Sequence, residues 1–284
     1  MTGERVLNFD IPLFIKWAGG KTQLLRDISK YLPDDFRGYY EPFVGGGAVS
    51  FFIHQNFNPK KIVLSDINEE LINTYKVIKN NVQELIRLLK IHKQNDSKEY
   101  FYKIRGLDKP VSYVKGLSDV ERAARMIYLN KTCFNGLYRV NSRGLFNVPY
   151  GRYKNPGIFD ENNLFKVSKL LSNVTLKTSS YDYILNEIKN CDFIYLDPPY
   201  YPLNGNSFTS YTKNDFGKKE HIRLARFCKQ LNQQGVKFLL SNSHTPEVLE
   251  LYSDFNINTV MARRAINCNG NDRGEIREVL ITNY

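Results

Sequence analysis

The chain has 284 residues, 42% hydrophobic and 24% charged, which is enough to bury a core and excludes the low-hydrophobicity signature of a disordered segment. Forty Lys and Arg against 29 Asp and Glu leave a formal net charge of +11, which favours a polyanionic partner, nucleic acid ahead of an anionic membrane. No stretch approaches the roughly 18 apolar residues of a spanning helix, and MTGERVLNFD lacks a signal-peptide apolar region, so a cytoplasmic location is expected. Cys133, Cys191, Cys228 and Cys268 are widely spaced, with no C-x-x-C pair and no His at ligand spacing. They read as reduced thiols, and no metal site is expected.

Taken in chain order, an apolar run from Tyr39 to Phe43 precedes a glycine cluster, and a second from Lys61 to Leu64 precedes Ser65-Asp66. Each predicts a buried parallel strand. From Glu69 to about Leu164 the pattern turns helical: ELINTYKVIKNNVQELIRLLKIHK carries apolar residues at helical spacing, and LSDVERAARMIYLNK predicts another helix with Ser118 as N-cap and Glu121 at the capping-box position. Strands resume at Asp192 to Leu196 and Val236 to Leu240, separated by a helix over Lys218 to Leu231, and IREVLITNY closes the chain with a last strand. The fold class expected is α/β, an open sheet with ligands at the carboxyl ends of its strands, interrupted by a mostly helical insert. The division is 1–68 with 165–284 as one domain and 69–164 as the insert.

Two motifs carry chemistry. EPFVGGG at 41–47 follows a strand, and its glycines allow a sharp turn and close approach of backbone to a ligand. Asp66 lies 19 residues beyond Gly47, at the end of the next strand, where a carboxylate can accept from both hydroxyls of a ribose. Together they point to an adenosine-containing cofactor, and the absence of G-x-x-x-x-G-K-[ST] argues against a phosphate-cradling loop. The second motif is DPPY at 197–200. Pro198 and Pro199 have no N–H, so the turn presents acceptors. Asp197 and the Pro198 carbonyl can accept both hydrogens of an exocyclic amine, drawing its lone pair out of ring conjugation, while Tyr200 offers a face for a base to stack on. A base inside a duplex cannot reach such a site, so base flipping is required.

From Arg122 to Lys154 there are seven basic residues, Arg122, Arg125, Lys131, Arg139, Arg143, Arg152 and Lys154, and no Asp or Glu. Tyr128, Phe134, Tyr138, Phe146, Tyr150 and Tyr153 are interleaved with them. Cations can neutralise phosphates and aromatics can stack on or wedge between bases, so this segment reads as a nucleic-acid surface rather than a mixed solvated face.

The sequence resembles the Dam family of DNA adenine-N6 methyltransferases in the alpha motif order. The likeness rests on KWAGGK at 16–21, EPFVGGG at 41–47, SDINEELI at 65–72, FNGLYRVNSRGLFNVPYGRY at 134–153 and DPPY at 197–200, with shorter similarity in FTSYT at 208–212 and ARRAINCNG at 262–270. The resemblance implies a Rossmann-like methyltransferase sheet, S-adenosyl-L-methionine as cofactor and double-stranded DNA as partner. It implies that Trp17 and Lys21 contact the methionine part of the cofactor, that Phe43, Gly45, Gly47, Asp66 and Asp197 line its pocket, and that Ile67 and Tyr181 contact its adenine ring. For DNA it implies Lys16 reaching the target, Phe134 entering the duplex, Asn135, Leu137 and Arg139 reading bases, Pro149 touching a thymine methyl and Arg152 a phosphate. Arg139 has the chemistry for a bidentate contact with guanine. The motif resembles those of enzymes acting on GATC. Other readings stay open: cytosine-N4 methylation, RNA methylation, or a noncatalytic DNA-binding protein of this fold. A restriction-modification enzyme, a phage enzyme and a solitary regulator are equally compatible with the sequence, and a monomer is the expected state in solution.

Overall fold

The computed structural model describes residues 6–109, 116–202, 216–263 and 275–284. The FTSYT segment, ARRAINCNG beyond Arg263, and Cys268 lie outside the described residues. Seven strands form one sheet: β1 (Gly38–Glu41), β2 (Lys61–Asp66), β3 (Val174–Thr178), β4 (Phe193–Leu196), β5 (Lys237–Ser243), β6 (Asn256–Arg263) and β7 (Glu275–Thr282). Their order is β3-β2-β1-β4-β5-β7-β6. β1 to β5 are parallel, and β7 runs antiparallel between β5 and β6. This is a Rossmann-like α/β sheet, as the alternation of apolar runs and helical segments implies.

Alternate residues of the central strands enter opposite cores, as a side-chain period of two requires. Tyr39, Phe193 and Tyr195 join one cluster with Phe14, Phe51 and Phe52, while Tyr40, Ile194 and Leu196 join the other with Phe227 and Phe238. The helices are α1 (Leu25–Lys30), α2 (Ala48–Phe57), α3 (Glu69–Gln94), α4 (Lys98–Arg105), α5 (Asp119–Thr132), α6 (Glu161–Leu171), α7 (Lys218–Gln233) and α8 (Pro246–Leu251). Asn68 caps α3, its side chain accepting from Leu71 N at 3.1 Å. Ser118 and Glu121 form the reciprocal capping box expected for α5.

The strands follow expectation with shifted ends. β1 stops at Glu41 rather than Phe43 because Pro42 removes a ladder donor. β2 and β5 run on to Asp66 and Ser243. Two strands not expected from the sequence are present: β3 and β6, both at sheet edges. The first core cluster runs without a break from the sheet through Leu71, Tyr75 and Ile78 of α3 to Ile127 and Tyr128 of α5. The helical region therefore shares its core with the sheet. α3 leaves helical geometry at Asn81 (φ −137°), just past Lys79, whose ammonium donates to the Val174 carbonyl of β3 at 2.8 Å.

Strand order reverses between β1 and β4: the chain builds outward through β2 and β3, then returns to the other side of β1. Such a switch point opens a crevice at the carboxyl ends of the strands. It brings together the turn after β1, Asp66 at the end of β2 and Asp197 directly after β4.

Candidate active site

The turn after β1 has a shape that only glycine tolerates. Gly45 and Gly47 have φ of 48° and 77°. A Cβ would lie 2.7 Å from Trp17 Cδ1 at Gly45 and 2.5 Å from the Tyr75 hydroxyl at Gly47. The Tyr75 hydroxyl also donates to the Gly45 carbonyl at 3.0 Å, clamping the turn from below. Asp66 reaches the same turn: Oδ2 accepts from Gly45 N at 3.3 Å and Oδ1 from Asn68 N at 2.9 Å. Burial raises its pKa to about 6 against these stabilising amides. A carboxylate has about four lone-pair sites, so each oxygen retains capacity for an incoming hydroxyl. Ile67, the next residue, is 51% exposed, an apolar side chain held open beside the turn. Phe43 packs on Tyr181 at 5.5 Å between centroids, and Tyr181 rests on Phe227 at 5.0 Å. Tyr181 is 3% exposed and thus supports Phe43 from beneath. A glycine cradle, a half-buried carboxylate and an exposed apolar side chain suit an adenosine-bearing group.

Across the switch point, Asp197 Oδ1 pairs with the Lys21 ammonium at 2.9 Å, and Lys21 is 5% exposed. The Asp197 pKa is pushed up to about 6, because burial outweighs the pull of Lys21 and the Glu278 carboxylate adds to the rise. Lys21 also donates to the Gly19 carbonyl and sits 4.8 Å from the centre of the Tyr200 ring. The Tyr200 hydroxyl donates to Glu278 Oε2 at 2.7 Å. Past the motif, Tyr201 N donates to Asn242 Oδ1 at 3.0 Å, and the Ser243 hydroxyl donates to the Tyr201 carbonyl at 2.7 Å. Pro198 is buried. The turn is thus fixed to β5 and β7 from behind.

Five of the residues expected to meet DNA, Phe134, Asn135, Leu137, Arg139 and Pro149, share one folded-back segment. Residues 133–150 fold back on themselves through bridges between Cys133 and Tyr150 and between Val140 and Phe146. Phe134 N donates to the Pro149 carbonyl at 2.9 Å, and Asn147 N to the Arg139 carbonyl at 3.1 Å. Phe134, 48% exposed, therefore stands beside exposed Pro149. Asn135 takes φ 56° and Gly136 φ 64°, which turns the chain sharply after Phe134. Leu137 is half-buried against the core. Arg139 is exposed and its Nε donates to Asn147 Oδ1 at 2.7 Å, which leaves the two terminal nitrogens as its remaining donors. Arg152 is exposed, as is Lys16, whose ammonium lies 5.4 Å from the centre of the Tyr153 ring.

The basic and aromatic run is not one surface. Arg122 is tied to Glu69, Glu70 and Asp119, and buried Arg125 bonds to Asp108 at 2.9 Å and to the Ile104 and Arg105 carbonyls. The sequence window contained no acid, but the fold brings acids from elsewhere to its first two arginines. Tyr128 and Phe146 are likewise core residues, so of these aromatics Phe134 is the exposed one. Sequence reasoning missed Glu278 and Asn130. Glu278 had a faint signal, an acid inside the apolar alternation of the last strand. Asn130 is fully buried and bonds to Lys16 N (2.9 Å), Lys16 O (2.8 Å) and Gly136 O (2.9 Å), and nothing local in its helix marked it.

Residues 17–266 match the family of D12 class N6 adenine-specific DNA methyltransferases. The type II methyltransferase M.MjaIII of Methanocaldococcus jannaschii is 48% identical over 290 residues, covering 97% of this chain and 100% of that protein. M1.LlaDCHI of Lactococcus lactis subsp. cremoris, also a type II methyltransferase, is 45% identical over 274 residues, 95% of each chain. The DNA adenine methylase of Escherichia coli is 34% identical over 270 residues, covering 94% of this chain and 93% of that one. S-Adenosyl-L-methionine is the methyl donor that this family and fold imply, and the cradle around Gly45, Gly47 and Asp66 fits its adenosine half. With the motif turns of β1, β2 and β4 gathered at one switch point and the match running through almost the whole chain, the protein belongs to the D12 class of N6 adenine-specific DNA methyltransferases.

Proposed function

We propose that the enzyme methylates adenine N6 within GATC in duplex DNA, on a base swung out of the helix. The observation that carries this reading is the placement of Asp197, half-buried directly after β4, across the switch point from the glycine turn of β1. S-Adenosyl-L-methionine, when bound, supplies a methyl group made electrophilic by its sulfonium. The chain's residues hold the two partners. Gly45, Gly47 and Asp66 would receive the adenosine with Phe43 and Ile67 at its ring, Tyr181 standing behind Phe43, and Trp17 and Lys21 would border the methionine part. Asp197 Oδ1 is engaged by Lys21, so Oδ2 and the Pro198 carbonyl are the acceptors for the amine, and Tyr200 is the platform beside it. As nitrogen gains the methyl it sheds a proton, which a carboxyl of pKa about 6 can take without being permanently protonated at neutral pH.

The helical region 69–164 with its 133–150 hairpin serves as the target reader. Support comes from Phe134, Asn135, Leu137, Arg139 and Pro149 sharing one folded-back segment, and from an exposed Arg139 whose terminal nitrogens keep the two donors a bidentate contact with guanine needs. Kinship with proteins named type II methyltransferases supports a place in a restriction-modification system. Among the described residues no helix is long and apolar enough to cross a membrane.

The test is nanopore reading of DNA from a methylation-deficient host expressing the protein. The expected outcome is N6-methyladenine on both strands of GATC. Methylation at another sequence overturns the GATC assignment, and unmodified DNA from cells holding folded enzyme overturns the whole proposal.

A further inference from the structure

One contact pair joins the hairpin to the glycine turn of the proposed site. Tyr138 lies on the hairpin between Leu137 and Arg139, yet its ring turns inward and stacks on Trp17, with centroids 5.5 Å apart and planes 22° apart. Trp17 in turn covers the glycine turn, close enough that a Cβ on Gly45 would lie 2.7 Å from its ring and one on Gly46 3.1 Å from its Cβ. Asp66 reaches the same turn, accepting from Gly45 N on one oxygen and from Asn68 N on the other. The Tyr138 ring also packs on Phe146 of the returning arm, at 5.9 Å. Buried Asn130 bonds to the backbone of Lys16 and to that of Gly136, so the chain entering Trp17 runs beside the hairpin at Gly136.

We infer that Tyr138 is a positioning residue that couples the base-reading hairpin to the cofactor cradle, so that cognate DNA and cofactor tighten each other's binding through its contact with Trp17. The inference rests on the proposed function, since it takes the hairpin as the DNA reader. A stack between two aromatic rings favours one offset over others. Any shift of the hairpin as it docks on DNA therefore changes how Trp17 lies on the Gly45 turn, and a ligand in the cradle biases the hairpin in return. Thermodynamic linkage makes the two effects equal.

The experiment measures binding of S-adenosylhomocysteine, an unreactive stand-in for the donor, to the full chain by calorimetry, with and without a saturating GATC duplex. Trp17 is the single tryptophan of the chain, so its emission gives a second readout with no competing signal. For the wild type the duplex is expected to tighten the cofactor analogue by at least about fivefold, the lower end of typical couplings. Tyr138→Ala should bring that ratio to near one while each ligand still binds alone. Tyr138→Phe keeps the ring and should retain most of the ratio and the wild-type Trp17 response. Tyr138→Leu, which preserves an apolar side chain against Phe146, replaces the alanine variant if thermal melting shows the latter unfolded. Full coupling in the alanine or leucine variant overturns the inference. So does an equal loss of cofactor affinity with and without DNA, which would make Tyr138 part of the cradle alone. A wild type that binds both ligands without coupling overturns it as well, whereas a folded wild type that binds no duplex at all overturns the proposed function on which it rests.

Discussion

Desolvating a carboxylate is costly unless donors reach it, and this site half-buries two. Asp66 and Asp197 each have a pKa raised to about 6, chiefly by desolvation. The sign for stability follows from linkage: a carboxyl that holds its proton more tightly folded than unfolded supports the fold below its ordinary 3.8 and loses that contribution as pH rises through about 6. Function runs the other way, since both oxygens of each group are free to act as acceptors only when the carboxyl is ionised. kcat/KM on duplex DNA should therefore be flat above neutrality and fall on an acid limb centred near pH 6, steeper than one proton would give. A stopped-assay pH profile checks this, and a rate flat to pH 5 would show that neither ionisation matters. Glu278 adds to the rise at Asp197 through its charge, while its oxygen also accepts from the Tyr200 hydroxyl. Glu278→Gln keeps an acceptor and removes the charge, so the limb should move to lower pH while the plateau holds. A collapsed plateau would mean instead that Tyr200 is misplaced without the carboxylate.

At the scale of elements, the hairpin of 133–150 depends on a backbone conformation that its sequence only partly advertises. Gly136 has φ 64° and a Cβ there would overlap the Lys16 side chain, so Gly136→Ala meets strain and a clash together. A left-handed conformation alone costs a non-glycine residue about 1–2 kcal/mol, and the variant should lose at least that in urea unfolding and lose duplex affinity as Lys16 is displaced. Unchanged stability and binding would show that the two segments are not locked. Elements differed in how readable they were. β1, β4 and β5 are buried on both faces and announce themselves as apolar runs, and α5 carried its own cap. β3 was hidden because VTLKT is an edge strand with one fully buried side chain, Val174, and β6 because NINTVMAR alternates weakly at the other edge. The glycine turn, Asp66 and DPPY were legible because each chemical requirement falls within a few residues. Asn130, Tyr138 and Glu278 were not, because their partners Lys16, Trp17 and Tyr200 are distant in sequence and only the fold brings them together. The same distance misled the reading of Arg122 and Arg125, whose acids come from other elements.

For the whole molecule, a net charge of +11 attracts any duplex, and specificity must come from a few groups placed on top of that attraction. The exposed cations of the hairpin and its flank are Lys16, Arg139, Arg143, Arg152 and Lys154, and Lys16 is joined to the rest by its packing on Gly136. They divide by what holds them. Arg139 has its Nε fixed by Asn147 at 2.7 Å, an arrangement that orients a planar fork as a base reader needs. Arg152 projects from a backbone at φ 57° just past Gly151, whose N–H donates to the Thr132 carbonyl at 2.8 Å, a placement suited to a phosphate. The two should respond differently to truncation. If Arg139 reads a guanine as proposed, Arg139→Ala should cost about 1–3 kcal/mol on GATC and far less on duplexes altered at that base pair, so that discrimination between them shrinks. Arg152→Ala should weaken cognate and altered duplexes alike and lower the slope of log K against log salt by about one. Measuring kcat/KM for both variants on GATC and its single-base substitutions, with binding followed across a salt series, separates the roles. If Arg139→Ala lowers every duplex by the same factor and flattens the salt slope, Arg139 is a backbone contact, and the GATC reading loses its chemical basis while the family assignment, which rests on the match across the chain, stands.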